Sequence, residues 1–106
     1  MTESSPTNRL NDVVHQRHRL GILTICAETD RVEFGYLREA LVLTAGNLSR
    51  HLTVLEEAGL VNSSKVIAGR RPRTWIRITR SGRTALDHEL AALEELVGRR
   101  PGRAVE

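Results

Sequence analysis

Residues 44–59 read T-A-G-N-L-S-R-H-L-T-V-L-E-E-A-G, from Thr44 to Gly59. Thr44 is a good N-cap, Leu48, Leu52 and Leu55 recur at i, i+4 and i+7, and Gly59 suits the left-handed position that closes many helices. The spacing predicts a one-sided helix with firm ends. At about 100° per residue the leucines form a core-facing stripe, while Gly46, Asn47, Ser49, Arg50, Thr53 and Val54 fall on or beside the opposite face. The outward face is therefore small, polar and cationic. Arg50 and His51 stand in its N-terminal half and Glu56 and Glu57 near its C-terminus, where acidic groups oppose the helix dipole by about a few tenths of a kcal/mol. A helix entering a duplex groove by its N-terminal half would hold both glutamates away from phosphate.

The charge that follows this helix is segregated. Ala58 to Leu86 contains Lys65, Arg70, Arg71, Arg73, Arg77, Arg80 and Arg83 and no Asp or Glu. The whole chain is only +3, so outside this block nine basic residues face all thirteen acidic ones. Such a run alone also fits a solvated face. Directly after an outward-reading helix, it fits a phosphate-facing surface better. The basic residues are fifteen arginines against the single Lys65, a bias given little functional weight.

A length of 106 residues allows one domain with short tails and one modest core. No apolar run approaches a membrane span, and the N-terminal M-T-E-S-S-P-T-N lacks the apolar stretch of a signal peptide. A cytoplasmic location with no membrane contact is the expectation. One cysteine, Cys26, excludes an internal disulfide and fits a reducing compartment.

Along the chain, residues 1–7 read as a disordered tail, 8–97 as the folded domain and 98–106 as a flexible tail. Asn8 can cap a short helix carrying Leu10, Val13 and Val14. A second helix, about Arg17 to Ala27, is apolar on most sides and expected to be central. Val32-Glu33-Phe34 suffices only for a minimal strand, followed by a short helix over Tyr36 to Leu41. Val42 and Leu43 join it to the Thr44 helix, and two helices joined by a tight turn make a helix-turn-helix. Leu60 to Ile67 and Thr74 to Thr79 have strand character, with A-G-R-R-P-R as a hairpin loop and Gly69 and Pro72 as its turn residues. Thr79 can cap a last helix, about Arg80 to Val97, with Leu86, Leu90, Leu93 and Val97 at helical spacing. The expected fold is mainly α with a small β-hairpin (α+β), in the order α-α-β-α-α-β-β-α.

This order resembles the winged helix-turn-helix transcriptional regulators where the MarR and ArsR groups overlap, over about Leu10 to Val97. The residues that carry the resemblance are L-T-A-G-N-L-S-R-H-L-T-V-L-E-E-A-G-L-V (43–61), G-R-R-P-R-T (69–74) and I-T-R-S-G-R (78–83). It implies a homodimer on a pseudo-palindromic double-stranded DNA operator, acting as a repressor, with reader helices in adjacent major grooves and the wings, residues 68–73, on minor groove or backbone. Carried over by position, Thr44, Gly46, Asn47, Ser49, Arg50 and Thr53 fall in the reader set, and Lys65, Arg70, Arg71 and Arg73 in the wing set. The chain departs from the pattern at Arg17, where relatives often have proline, and at Val42, where the turn often has glycine.

Arg50 has the fork to grip guanine O6 and N7, worth about 1–3 kcal/mol of discrimination, and Asn47 suits adenine or a phosphate. Wing arginines gain from the narrow, electronegative minor groove of A-tracts, through shape and not base identity; phosphate contact is the other role open to them. Leu10, Val13 and Val14 with Leu86, Leu90, Leu93 and Val97 offer a dimer interface, since a domain this small has little room to bury both stripes. The alternative is that both close over the monomer core.

Other chemistries find little support. His15 and His18 are three apart and Asp87-His88-Glu89 are consecutive, but no complete tetrahedral set is present, so no metal and no cofactor are expected. Cys26 reads as a small core hydrophobe. Phosphate loop, nucleophile elbow and paired-carboxylate pocket are all missing, so the chain is not expected to be an enzyme. With only Phe34, Tyr36 and Trp75 as aromatics, an aromatic-lined pocket for a small-molecule effector is not evident, and Trp75 is expected to cover arginine stems or a dimer contact. The competing class is a winged helix that meets an acidic protein partner.

Overall fold

The computed structural model describes residues 12–99. The elements run α1 (Asp12–His15), α2 (Arg17–Ala27), β1 (Val32–Glu33), α3 (Phe34–Ala40), α4 (Ala45–Glu57), β2 (Val61–Ala68), β3 (Arg71–Ile78) and α5 (Arg80–Gly98). This is the expected order, mostly helical with one antiparallel three-stranded sheet in the order β1-β3-β2. Asn8 and Leu10 lie outside the described residues, as do both expected tails apart from Gly98 and Arg99.

One core joins every layer. Ile22, Leu23 and Cys26 of α2 meet Leu37 of α3, the Leu48, Leu52 and Leu55 stripe of α4, Val61, Ile76 and Ile78 of the sheet and Leu86 of α5, all buried. Burial pushes the Cys26 thiol up to about 11, so it remains protonated and packs as a small apolar group. Gln16 separates α1 from α2, and its side-chain oxygen accepts from the His18 and Arg19 amides at 2.9 and 3.1 Å. That cap starts α2 at Arg17 without the proline of the family pattern.

Two expected boundaries shift. α3 begins at Phe34, not Tyr36, and takes Phe34 from the strand, because Phe34 packs against the core as the first helical residue after extended Glu33. The hairpin loop is also shorter than A-G-R-R-P-R. Strand pairing continues to Ile67 against Pro72 and Ala68 against Arg71, so only Gly69 and Arg70 turn the chain. Gly69 has φ +65°, the sign a two-residue hairpin needs at its first central position. At Pro72, β3 is paired on one side only, an edge setting that tolerates a missing N–H.

Both helices of the helix-turn-helix end in the same main-chain motif. After α4, the Gly59 and Leu60 amides donate to the Glu56 and Leu55 carbonyls, both at 2.9 Å. After α3, the Val42 and Leu43 amides donate to the Glu39 and Arg38 carbonyls at 3.3 and 2.9 Å. Each is a Schellman closure around one left-handed residue. Gly59 adopts φ +77° without steric penalty, whereas β-branched Val42 is held at φ +54°. An L-residue there costs about 1–2 kcal/mol, and Val42, 88% exposed, recovers almost nothing through burial.

α5 is docked through its first turn. Thr79 caps it by accepting from the Gly82 amide at 2.9 Å and donates its hydroxyl to the Gly59 carbonyl at 2.7 Å. The Thr79 amide donates to the Leu60 carbonyl at 3.0 Å. Gly82 lies so close to this connection that a Cβ would overlap the Leu60 carbonyl oxygen and stand 2.7 Å from Ile78 Cγ1.

Two stability outcomes are expected in urea unfolding. Val42→Gly raises stability by about 1 kcal/mol, the relieved strain being partly offset by greater unfolded-chain entropy, whereas Gly59→Val lowers it by about 1–2 kcal/mol or more. A shift of the same sign in both would contradict the strain assignment. Gly82→Ala is expected to lower stability by about 2–3 kcal/mol through overpacking against backbone, read as a lower midpoint at unchanged slope.

Candidate nucleic-acid interface

The leucine stripe of α4 fixes which residues face out. With Leu48, Leu52 and Leu55 buried, Gly46, Asn47, Ser49, Arg50 and Thr53 all emerge on the exposed side. Thr44 sits at the entrance, exposed, with its hydroxyl oxygen accepting from the Asn47 amide at 3.0 Å. Thr53 donates its hydroxyl to the Ser49 carbonyl at 3.0 Å. Arg50 makes no ion pair among the described residues. Nothing in the fold requires glycine at 46, since a Cβ there meets no atom within 4 Å. Glycine instead leaves the outward face low beside Asn47 and Arg50.

His51, next to Arg50, was not among the expected site residues. It turns partly inward, where its ring lies 5.4 Å from that of His18 and its Nδ1 3.3 Å from an Arg19 Nη1. Arg19 is itself held by Nε donation to the Val13 carbonyl at 2.6 Å. Burial, then the Arg19, His18 and Arg50 charges, lower the His51 pKa, which keeps the ring neutral at pH 7. A neutral Nδ1 can accept from the guanidinium, which ties the N-terminal half of α4 to the start of α2. No local signal marks this contact, because the partners are 32 residues apart.

The hairpin divides the basic residues between two faces. Register pairs Val61 with Ile78 and Ser63 with Ile76, so Lys65 and Thr74 continue the core-side face of the hairpin. Arg71, Arg73, Trp75 and Arg77 alternate onto the other face. Arg73 lies 3.5 Å from a Glu33 carboxylate oxygen, and Arg77 3.5 Å from Asp30. Arg70 and Arg71, at the turn, are exposed and make no ion pair among the described residues. The expected wing set is thus split into Arg70 and Arg71 at the tip, Arg73 braced lower down and Lys65 on the opposite face.

The expected dimer residues also separate. Val14 and Leu86 are buried in the chain's own core and Val13 packs against it, so these three close over the monomer. Leu90 and Val97 are 41% and 46% exposed, and with Leu93 and Glu94 they line an open groove of about 490 Å³ on α5. Of the consecutive Asp87, His88 and Glu89, Glu89 is buried while the other two are exposed. Among the described residues no cluster of three metal-ligating side chains occurs, and no helix is long and apolar enough to cross a membrane.

Trp75 has partners beyond the hairpin. The Arg31 guanidinium stacks over its ring, 4.0 Å from the centroid, and Tyr36 lines the same groove. Two of the three aromatic residues therefore converge where the sequence showed no aromatic-lined pocket. Strand alternation placed Trp75 on the outer face, but Arg31 is too distant in the chain for spacing to reveal.

The chain is similar to known proteins in sequence and in fold. A Methanocaldococcus jannaschii protein of uncharacterised function is 40% identical over 78 residues, spanning 74% of this chain and 85% of its own. The solved transcriptional regulator homologue of Pyrococcus horikoshii OT3 is 35% identical, superposes with a TM-score of 0.78 and covers 83% of this chain and 87% of its own. The transcriptional repressor CouR, solved on a 23-mer DNA duplex, shares the fold at 17% identity, with a TM-score of 0.73 over 94% of this chain and 72% of its own. Residues 18–97 match the winged helix DNA-binding domain family, and the chain belongs to that family.

Proposed function

We propose that the protein is a sequence-specific transcriptional regulator that represses by occupying a pseudo-palindromic DNA operator as a homodimer. The observation that carries this reading is the exposed N-terminal half of α4. Gly46, Asn47, Ser49 and Arg50 stand there opposite the buried leucines, Arg50 free of ion pairing among the described residues, and Glu56 and Glu57 lie at the far end. In the major groove, Arg50 reads guanine and Asn47 adenine or a phosphate. Arg70 and Arg71 at the hairpin tip supply sequence-tolerant anchoring to a narrow minor groove or the backbone. Arg73 contributes less, because Glu33 already balances it. Thr44 and Thr53 act through their caps and helix bonds more than through bases. CouR, which shares the fold and was solved on a duplex, supports the same mode of docking.

The homodimer forms through α5, where Leu90, Leu93 and Val97 remain outside the monomer core. Two-fold symmetry then sets half-site centres about one helical turn apart, about 10–10.5 bp.

Selection of bound duplexes from a random library is expected to return a pseudo-palindrome with that spacing; a preference for acidic protein over any duplex would favour the protein-interaction class instead. With about three or four phosphates neutralised per subunit, log K is expected to fall against log salt with a slope near −5 to −7, and a flat response would oppose phosphate contact. Arg50→Ala relaxes sequence preference and Arg71→Ala weakens all duplexes about equally; indistinguishable profiles would break this division of roles. Sedimentation at micromolar concentration is expected to show a dimer, and Leu93→Asp a folded monomer with weakened duplex binding.

A further inference from the structure

The groove around Trp75 belongs to neither the reader helix nor the α5 face. It is an open groove of about 450 Å³ between the C-terminal end of α2, β1, α3 and β3, within the size range of small-molecule sites. Ile25 and Val32 contribute apolar lining, Tyr36 and Trp75 aromatic surface, and Glu28 and Glu33 carboxylates. Glu28 makes no ion pair among the described residues, whereas Glu33 shares its charge with Arg73 at 3.5 Å.

Aromatic faces with nearby carboxylates attract cations, through the ring quadrupole and the carboxylate charge together. The chain demonstrates this preference with its own side chain, since the Arg31 guanidinium sits 4.0 Å from the Trp75 ring centroid. Arg31 is exposed and reaches the ring from the rim, so it can swing away into solvent. We propose that this groove binds a small organic cation bearing an aromatic or quaternary ammonium group, which takes the place of the Arg31 guanidinium on Trp75. The cationic centre lies on Trp75 and Tyr36 with Glu28 as its counter-charge, and the hydrocarbon part rests on Ile25 and Val32. An anionic ligand meets carboxylates there and only a guanidinium already engaged with the ring.

Trp75 is the chain's one tryptophan, so its fluorescence reports on this groove alone. The test is titration of the full chain, without DNA, with benzyltrimethylammonium and separately with phenylacetate. Benzyltrimethylammonium is expected to give a saturable change in Trp75 emission and phenylacetate none. Glu28→Gln is expected to weaken the cation's binding about three-fold or more, and Arg31→Ala to tighten it about two- to five-fold by removing the internal competitor. Tightening on removal of a lining residue is an outcome that a merely structural role for Arg31 does not give. The inference is overturned by an unsaturable response to the cation, by an equal response to phenylacetate, or by weakened binding in an Arg31→Ala variant that unfolds normally. No duplex enters these measurements, so their outcome is independent of the DNA-binding proposal.

Discussion

The close approach of Gly82 to the Leu60 carbonyl is the constraint on which the arrangement depends. It sets the first turn of α5 against the connection between α4 and β2, with Thr79 bonded to both Gly59 and Leu60. A side chain at position 82 would part these segments, and with them the end of α4, the start of the hairpin and the axis of α5. The outward face of α4, the hairpin and the exposed face of α5 are thereby referred to one point of backbone contact. Rigidity of this kind comes from main-chain hydrogen bonds and van der Waals contact, which tolerate little displacement.

From that junction the placement of the hairpin and of α4 follows by geometry. β2 leaves directly after Leu60, so the base of the hairpin adjoins the C-terminal end of α4, while His51 and Arg19 hold the middle of that helix to α2. Charge is distributed to match. Glu33 meets Arg73 and Asp30 meets Arg77 beside the sheet edge, whereas the cations at the hairpin tip and on the exposed side of α4 face solvent.

How much of this was legible in the sequence depends on the range of the interactions. α4 could be read almost completely, because its cap, leucine stripe and closing glycine are all local signals. The capped start of α5 was legible through Thr79 for the same reason. The length of the hairpin turn is not legible in A-G-R-R-P-R, because pairing of Ile67 with Pro72 and of Ala68 with Arg71 is decided across strands. The start of α3 is not legible, because Phe34 fits a strand as readily as a helix until its burial is known. Val14 and Leu86 carried apolar periodicity that serves a core and an interface equally, and only the packed structure separates them from Leu90 and Val97. The Arg31–Trp75 and Arg19–His51 contacts had no local signature at all.

The matched closures at Val42 and Gly59 have a bearing on how such a protein can change. The turn before α4 and the turn after it are held by amide and carbonyl groups, and the cap at Thr44 engages a main-chain amide as well. Asn47, Ser49 and Arg50, by contrast, are exposed side chains with few obligations to the fold. On the proposed reading, recognition and support are encoded in separable sets of atoms. On that reading, a lineage can explore new target sequences by substitution at Asn47, Ser49 or Arg50 while the frame that presents them is inherited intact.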